Sequence, residues 1–467
     1  MSDILIKTLP YQADPLPLFS HLKSRSWAQL LDSGNCNTEL ARYDLMVADP
    51  RLKIISQKGT TRITDNGGKI TETLENTFEL VKTILADISC NDRSLPFCGG
   101  ALGYFGYDLA SESSASEPVT TDQRPVMIDL PDMAIGIYDW AVITDHFEKK
   151  TLLVTCSEQK EALEELEQLY SELSGHVNSI TSREAVPALQ VSQLDVDIDY
   201  THYKNGFNHI QNYLKDGDCY QINYARCYSS SCQGSAWESY KLLRHNNPVP
   251  FGAYLDFPFG QILSASPERF IKVSGNHVET RPIKGTRPRG LTEKEDSKLK
   301  ADLSNSEKDR AENLMIVDLL RNDLGKTCDP GTIEVPELFK TETFPTVFHL
   351  VSTVTGKIKN GLSALDVLRH CFPGGSITGA PKKRAMEIIQ ELEKHQRDIY
   401  CGAIGYISFN GNMDTNIAIR TMTVADKQLC FWAGGGIVAD SEVENEFQET
   451  RDKAAAFCQL LNIQDIP

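Results

Sequence analysis

The chain has 467 residues with 47 basic and 64 acidic side chains, and its net charge of −17 argues against nucleic acid or an anionic membrane as a partner. Hydrophobic residues make up 40% and charged residues 24%, as in an ordinary soluble protein, and the length allows a large core without disulfides or a structural metal. If the substrate is an anion, its site must collect cations locally.

The twelve cysteines are scattered without a CxxC pair, which indicates reduced thiols that are mostly buried as small hydrophobes. The N-terminal residues lack the basic and apolar regions of a signal peptide, and no apolar run of about 18 residues occurs. We therefore expect a cytoplasmic protein without a membrane span or anchor.

Taken in chain order, the first part of the sequence predicts short strands and then an amphipathic helix over 157–173. The polar stretch 174–193, which contains Gly and Pro, is the best linker candidate. We therefore predict an N-terminal region over 1–190 and a catalytic domain over 195–467.

Beyond this linker the periodicity predicts long helices separated by strands, and a helix over 200–216 ends at Gly217. The further predicted helices span 305–322, 379–395 and 441–460, and the predicted strands span 220–226, 251–256, 261–265, 270–273, 402–409 and 416–424. This succession indicates an α+β fold with a large mixed sheet.

The terminal helix opens with a predicted capping box, Ser441 with Glu444. Glu446, Glu449 and Lys453 fall on one face of it, within roughly 60° of one another. They are either a solvated face with a Glu–Lys pair, or two carboxylates aimed at a metal beside a cation aimed at an anion.

A second acidic pair, Asp309 and Glu312, lies three residues apart on the helix over 305–322. Like charges at this spacing destabilise a helix slightly unless a cation offsets them. Two helices that each present such a pair suit Mg²⁺, which takes one or two carboxylates and completes its shell with water and substrate oxygens.

Lys284 is flanked by Arg281, Arg287 and Arg289. Clustered cations lower the pKa of a lysine and make its amine a better nucleophile, although a basic surface loop would have the same composition. Glu268, in a Ser-Pro-Glu turn, is either a general acid with a raised pKa or a structural acid.

Two glycine-rich segments are predicted as turns. In 373–382, N–H groups and the Ser376 hydroxyl could bind an oxyanion, and Pro381 suits the first position of the following helix. The other turn, Gly434–Gly436, offers bare backbone that a carboxylate could approach closely, and Arg420 is a candidate bidentate clamp. Tight turns without a ligand remain the alternative for both segments.

Together these segments resemble the chorismate-utilising enzymes, a family that includes anthranilate, isochorismate, salicylate and aminodeoxychorismate synthases. The matching motifs, in family order, are SPERF (266–270), PIKGTRPR (282–289), DRAENLMIVDLLRNDLG (309–325), GGSITGAPK (374–382), GYISFNGNMDTNIAIRT (405–421), AGGGIVADS (433–441) and ENEFQETRDKA (444–454). The resemblance implies large mixed or antiparallel β-sheets packed as a sandwich with helices outside.

Within the family, PIKGT is typical of aminodeoxychorismate synthases, whereas anthranilate synthases usually carry alanine at the position of Lys284. Gln221 stands where isochorismate and salicylate synthases have the lysine that activates water. The resemblance therefore implies amination at C4 of chorismate, a step in 4-aminobenzoate and folate biosynthesis. An anthranilate synthase and a catalytically silent regulatory subunit are the alternatives.

The resemblance also implies the roles of the site residues. Lys284 attacks C2 of chorismate, Glu268 protonates the departing hydroxyl, and His349 lies at the ring. Mg²⁺ is held by Glu312 and Glu449, with Asp309 and Glu446 near or behind it. The implied substrate-binding residues are Gly285, Thr286, Ser376, Tyr400, Arg420, Gly434, Gly435, Gly436 and Lys453.

In this family ammonia comes from a glutamine amidotransferase, and no cysteine here lies in that enzyme's GxCxG turn, so a separate amidotransferase partner is expected. Two segments also resemble the tryptophan-binding elements of relatives, LLDSG (30–34) and NPVPF (247–251). The predicted tryptophan pocket is formed by Ser33, Tyr43, Pro250 and Phe251. Asp32 replaces the glutamate of feedback-sensitive relatives, and a buried loop contact without a ligand is the alternative.

Overall fold

The computed structural model describes residues 4–36, 38–88, 90, 92, 94–110, 124–156, 164, 168–173, 175, 186–344 and 347–467. The helix predicted over 157–173 and the linker predicted over 174–193 lie largely outside the described residues. Within the described part, the chain forms two large sheets whose strand ladders are all antiparallel. This confirms the predicted α+β sandwich.

The first sheet has 13 strands in the described part of the chain. In spatial order its strands are Leu5–Leu9, Lys150–Thr155, Trp140–Asp145, Tyr43–Val47, Gln29–Asp32, Phe251–Phe257, Gly260–Ser266, Thr421–Ala425, Gln428–Ile437, Gln221–Gln233 and Gln190–Val191, with Asp195–Val196 and Gly379–Ala380 also paired to Gln221–Gln233.

The second sheet has 12 strands over the same described ranges. In spatial order they are Ile283–Pro288, Val347–Lys357, His277–Thr280, Arg269–Ser274, Met413–Ile417, Ala403–Ser408, Gly100–Phe105, Met133–Tyr138, Leu52–Gln57, Thr60–Asp65 and Ile70–Thr73, with Glu334–Thr343 also paired to Val347–Lys357. Both sheets contain strands from before residue 157 and after residue 186, so each sheet spans the predicted boundary near residue 190.

The α-helices that the structure describes in full are Leu16–Leu22, Thr77–Ala86, Tyr200–Asp216, Ala236–Asn246, Glu293–Asn305, Glu307–Gly325, Ala364–Cys371, Lys382–Leu392 and Val443–Leu460, and short 3₁₀ turns lie at Tyr107–Leu109 and Gly375–Ile377. No helix in the described ranges is both long and apolar enough to cross a membrane.

The core lies in layers. Between the sheets, Leu45 and Ala253 of the first sheet share one apolar cluster with Leu102 and Ile404 of the second. On one side, Phe457 of the terminal helix packs in a second cluster, whose helical members also include Phe19 and Trp237. On the other side, a third cluster contains helical residues such as Phe78 and Ile316. The sheets are therefore covered by helices, as the sandwich predicts.

Most predicted elements after residue 195 are confirmed, but the strand predicted over 416–424 is wrong. Met413–Ile417 belongs to the second sheet and Thr421–Ala425 to the first, so the chain crosses between the sheets in this interval. Arg420, at the crossing, has φ +48°, a left-handed conformation that an L-residue adopts at a sharp turn and not inside a strand.

Three local predictions near the site are also wrong. Gly434–Gly436 lies inside the strand Gln428–Ile437 and pairs with residues 223–225, so it is not a turn. Ser441 does not cap the terminal helix, which begins at Val443 with Glu442 as its N-cap residue. Similarly, Pro381 precedes the helix Lys382–Leu392 as its N-cap residue.

Candidate active site

Lys284 lies at a β-bulge in the strand Ile283–Pro288, and not in a surface loop. On the neighbouring strand Lys284 pairs with Leu350 and Thr286 with His349, so Gly285 is the extra residue of the bulge. Gly285 has φ +74°, and a Cβ there would lie 2.8 Å from the carboxyl carbon of Asp309. Bulges redirect neighbouring side chains, and this one favours glycine because of its positive φ.

The Lys284 ammonium donates a hydrogen bond to the carbonyl oxygen of Ser376 (Nζ···O 3.3 Å). Desolvation lowers the pKa of Lys284, and Lys453 lowers it further, against the opposing carboxylates of Glu312 and Glu268. Lys284 as a whole residue is only partly buried, so a substrate can reach it. A desolvated lysine of lowered pKa is a candidate nucleophile.

The arginines beside Lys284 do not produce this shift, because each is neutralised by an acid. Arg289 pairs with Asp296 (2.8 Å) and Arg287 with Asp302 (2.7 Å). Arg281 pairs with Glu342. The predicted cause of the lowered lysine pKa, a cluster of arginines, is therefore wrong; burial and Lys453 are the causes.

Glu268 is buried next to Lys284. Its carboxylate accepts a hydrogen bond from the Ser376 hydroxyl (Oγ···Oε1 2.9 Å), so Ser376 contacts Lys284 through its carbonyl and Glu268 through its hydroxyl. Burial raises the pKa of Glu268, although Lys284 and the Ser376 hydrogen bond oppose the shift. A buried carboxyl of raised pKa can act as a general acid.

His349 is buried, and its Nδ1 lies 2.9 Å from Oγ1 of Thr286. Burial and the guanidinium of Arg420 lower the pKa of His349 to about 4, so the ring is neutral at pH 7. It can accept or donate one hydrogen bond toward a substrate, but it adds no charge.

Arg420 supplies an unneutralised cation. Desolvation lowers the pKa of its guanidinium, and within the described residues that guanidinium has no ion-pair or hydrogen-bond partner. Such a group suits a carboxylate ligand. Tyr400, another predicted substrate residue, is buried and stacks on Trp432 with ring centroids 5.7 Å apart.

The glycine strand faces the terminal helix. Lys453 donates to the carbonyl oxygen of Gly434 (2.8 Å) and pairs with Glu449 (2.6 Å). A Cβ on Gly435 would lie 3.1 Å from Oε2 of Glu446 and 3.5 Å from Oε1 of Glu449. The absence of a side chain at Gly435 therefore leaves room for the two carboxylates that were predicted to lie on one helix face.

Glu446 is 4% exposed, and its Oε2 has no hydrogen-bond partner, while its Oε1 accepts from the Ser441 hydroxyl (2.6 Å). Lys308 Nζ lies 3.9 Å from Glu446 and 4.0 Å from Glu312, between the two helices. Burial raises the pKa of Glu312 and of Glu446, and Glu449 raises both further.

These observations fit a divalent cation. A buried carboxylate oxygen without a partner, next to other carboxylates, is destabilising unless a cation compensates it. The oxygens of Glu312, Glu446 and Glu449 do not all lie within 4.8 Å of one another, so one or two of these carboxylates could bind Mg²⁺ directly and the others would act through water or move closer. Asp309 is placed differently: it pairs with Arg287 (3.0 Å) and lies against the Gly285 bulge.

Three buried residues of this region are not among the predicted catalytic, substrate-binding or metal-binding residues. Gln221 is buried against Gly436, and neither amide atom has a hydrogen-bond partner. Arg397 and Glu393 form a fully buried ion pair (2.7 Å), and Arg397 also donates to the carbonyl oxygen of Ile377. In sequence this pair is an ordinary i,i+4 Glu–Arg pair, and only the fold shows that it anchors the turn containing Ser376.

A separate cavity of about 540 Å³ is lined by residues from before position 150 and from after position 249. Tyr43, Pro250 and Phe251, three of the predicted tryptophan-pocket residues, line it together with Arg269 and Asp414. Ser33 does not line it: its N–H and hydroxyl both donate to Asp44 (2.8 and 2.7 Å). Three of the four residues predicted for the tryptophan pocket therefore line this cavity.

Comparison with known proteins shows the family. The family model described as chorismate binding enzyme matches residues 29–459. The chain belongs to the chorismate-binding enzymes. It is 43% identical over 453 residues to aminodeoxychorismate synthase component 1 of Salmonella typhimurium, covering 96% of each chain. Its identity to the Escherichia coli protein of the same name is 45% over 441 residues, covering 93% of each.

Among solved structures of chorismate-binding enzymes, anthranilate synthase component I from Streptococcus pneumoniae superposes with a TM-score of 0.78 at 31% identity. The match covers 91% of this chain and 93% of that one. The two-sheet fold is therefore the fold of this family, and the candidate site lies in residues that the family model covers.

Proposed function

We propose that this chorismate-binding enzyme is an aminodeoxychorismate synthase component 1, which converts chorismate and ammonia to 4-amino-4-deoxychorismate. The observation that carries the proposal is the desolvated Lys284 on the Gly285 bulge, beside the buried Glu268. Two relatives that share 43% and 45% identity with the chain carry this name. Gln221, which cannot act as a base to activate water, disfavours a hydration reaction at C2.

In the proposed mechanism, the neutral Lys284 amine attacks C2 of chorismate, the ring double bonds shift, and Glu268 protonates the C4 hydroxyl, which leaves as water. Ammonia then adds at C4, the double bonds shift back, and the lysine leaves C2. The enolpyruvyl ether stays intact. Covalent catalysis suits this displacement because it divides the loss of a poor leaving group into two easier steps.

The remaining residues bind and orient the substrate. Chorismate carries two carboxylates, and the unpaired Arg420 guanidinium is the candidate clamp for one of them. Glu312, Glu446 and Glu449 would hold Mg²⁺, which when bound supplies positive charge to a substrate carboxylate. Lys453 holds Glu449 and the Gly434 carbonyl in place, and Ser441 orients Glu446.

The protonation of Lys284 and Glu268 predicts a bell-shaped pH profile. The productive pair has a neutral amine and a protonated acid, so it carries one proton in total. The rate of adduct formation from chorismate without ammonia therefore rises with pH through the lower pKa of the pair and falls through the higher. Burial raises the pKa of Glu268 and lowers that of Lys284, which increases the productive fraction of the singly protonated pair.

Glu268→Gln is expected to slow adduct formation by about 10²–10⁴-fold and to remove the alkaline fall of the profile, since only the lysine still titrates. Quenched-flow mass spectrometry across pH measures both effects. Glu238→Gln, on the helix Ala236–Asn246, is the control and should keep the bell-shaped pH profile of the wild type. An unchanged alkaline limb in Glu268→Gln would show that another group is the acid.

The reaction itself is tested by incubating the protein with chorismate, ammonium and Mg²⁺ and determining the product mass. The expected product keeps the enolpyruvyl group and gains an amine in place of a hydroxyl. Release of pyruvate with anthranilate would identify an anthranilate synthase instead. Absence of turnover at saturating ammonium would identify a catalytically silent subunit.

We propose that glutamine-derived ammonia comes from a separate amidotransferase, the component II implied by the name of the component 1 relatives. The chain lacks the GxCxG nucleophile turn that would let it release ammonia from glutamine itself. Glutamine should therefore support amination only when the amidotransferase is added, whereas ammonium should suffice for this chain alone.

We also propose that the cavity lined by Tyr43, Pro250 and Phe251 binds tryptophan, whose ring suits its aromatic and proline side chains. Protein that has been unfolded, freed of small molecules and refolded should melt at a higher temperature when tryptophan is added. Phe251→Ala should reduce that shift. A refolded, active protein whose melting temperature does not respond to tryptophan would contradict the pocket.

A further inference from the structure

Three buried thiols that the proposed reaction does not use converge at one point of the fold. Cys90 follows the helix Thr77–Ala86, Cys98 precedes the strand Gly100–Phe105, and Cys156 follows the strand Lys150–Thr155. Their sulfur atoms all lie within 4.8 Å of one another, and no other triad of potential metal ligands is this close in the described part of the chain. The residues are 6%, 0% and 3% exposed.

A hydroxyl lies beside one of these sulfurs in an otherwise apolar region. The Ser408 hydroxyl lies 3.4 Å from Sγ of Cys98 and also accepts a hydrogen bond from the Cys98 backbone N–H (3.1 Å). Hydrogen bonds to sulfur stabilise thiolates, the form in which cysteine binds metals.

We propose that Cys90, Cys98 and Cys156 form a thiolate site for Zn²⁺, with an oxygen from Ser408 or water in the fourth position. Thiolates select soft or borderline cations, and Zn²⁺ favours four tetrahedral ligands with Zn–S bonds of about 2.3 Å. That geometry places sulfurs roughly 3.7–3.8 Å apart. The spacing of the three sulfurs, each within 4.8 Å of the others, therefore requires only a small closure.

Two other uses of these thiols explain the arrangement less well. A disulfide joins two sulfurs and leaves the third without a role, and it needs an oxidant. Packing as small hydrophobes explains burial, but it does not require three sulfurs to meet beside a hydroxyl. Zinc binding needs no oxidant, because each thiol simply releases its proton to solvent as its sulfur binds the ion.

Such a site would have a structural effect. It would tie Cys156, which follows a strand of the first sheet, to Cys98, which precedes a strand of the second sheet, and to Cys90. An ion bound only by the folded protein stabilises it by mass action. We therefore expect zinc to raise the melting temperature of the full-length protein.

Cobalt substitution tests the proposal. Full-length protein is reduced, freed of metals with a chelator and titrated with Co²⁺. One equivalent should produce thiolate-to-cobalt charge-transfer absorption and the visible bands of tetrahedral Co²⁺, and added Zn²⁺ should abolish both. Binding at the carboxylates of the active site cannot produce the charge-transfer absorption, so this signal reports thiolate ligands, and the variants below assign it to the thiol cluster.

Cys98→Ser and, separately, Cys156→Ala should lose the charge-transfer absorption and the zinc-dependent rise in melting temperature. Cys219→Ser, which alters a buried cysteine outside the cluster, should keep both. Absence of the absorption in reduced wild-type protein with all thiols titratable would overturn the proposal. A wild-type mass two units below the reduced value, found without added oxidant, would replace it with a disulfide.

Discussion

Replacing Lys284 with alanine is expected to reduce amination of chorismate by roughly 10³–10⁶-fold, because removal of a covalent nucleophile costs several orders of magnitude in kcat. The variant loses the one amine that the Gly285 bulge presents beside Glu268. Lys284 is not needed to hold the fold, because its single described hydrogen bond goes to the Ser376 carbonyl at 3.3 Å. The loss should therefore appear in kcat, with an unchanged melting temperature.

Intact mass spectrometry separates a covalent role from a binding role. Wild-type protein mixed with chorismate and no ammonia should gain the mass of chorismate minus water, and peptide mapping should place the adduct on Lys284. Lys284→Ala should gain nothing. Lys340→Ala, which removes an exposed lysine paired with Glu337, should behave as wild type. Normal amination by Lys284→Ala would refute the covalent step.

Long elements with strong periodicity were predicted correctly from the sequence. The helix over 200–216 has the predicted bounds because its capping residue Asp199 and the left-handed Gly217 mark its ends locally. The helix predicted over 305–322 is found at Glu307–Gly325. In both cases neighbouring residues determine where the helix lies, so the local sequence pattern is enough to predict it.

Features determined by contacts between distant segments were missed. The Gly285 bulge depends on the register of the strand Val347–Lys357, and the crossing at Arg420 depends on which sheet each neighbouring segment joins. The pairing of Arg287 with Asp302 also depends on how the helix Glu293–Asn305 packs. None of these partners is adjacent in sequence, so the local pattern around Lys284 suggested an unpaired basic cluster.

The candidate site shows how an acidic protein can bind a dicarboxylate. Arg420 is left without an acidic partner in the described structure, while the arginines next to Lys284 are each neutralised. Three of the excess acids, Glu312, Glu446 and Glu449, converge where a cation would be held. Net charge therefore indicates which macromolecular partners to exclude, whereas the pairing of individual charges decides what the site binds.

The second large effect is expected from Glu312→Gln, which should raise the Mg²⁺ concentration needed for half-maximal amination by more than about 100-fold. Changing groups that merely support a metal ligand already costs roughly 10–100-fold in affinity. Glutamine keeps the size of the side chain but removes the charge that faces Glu446 across Lys308. The change should therefore affect metal affinity far more than folding.

Asp318→Asn is the matched control, because Asp318 lies on the same helix with a side chain that is 66% exposed, and its Mg²⁺ dependence should be that of wild type. Ser441→Ala should give an intermediate shift, since it removes the hydroxyl that orients Glu446 but leaves every carboxylate in place. Isothermal titration with Mg²⁺ alone measures the same order without relying on turnover. Equal Mg²⁺ affinity in Glu312→Gln and wild type would place the metal elsewhere, because a ligand carboxylate that loses its charge must bind Mg²⁺ more weakly.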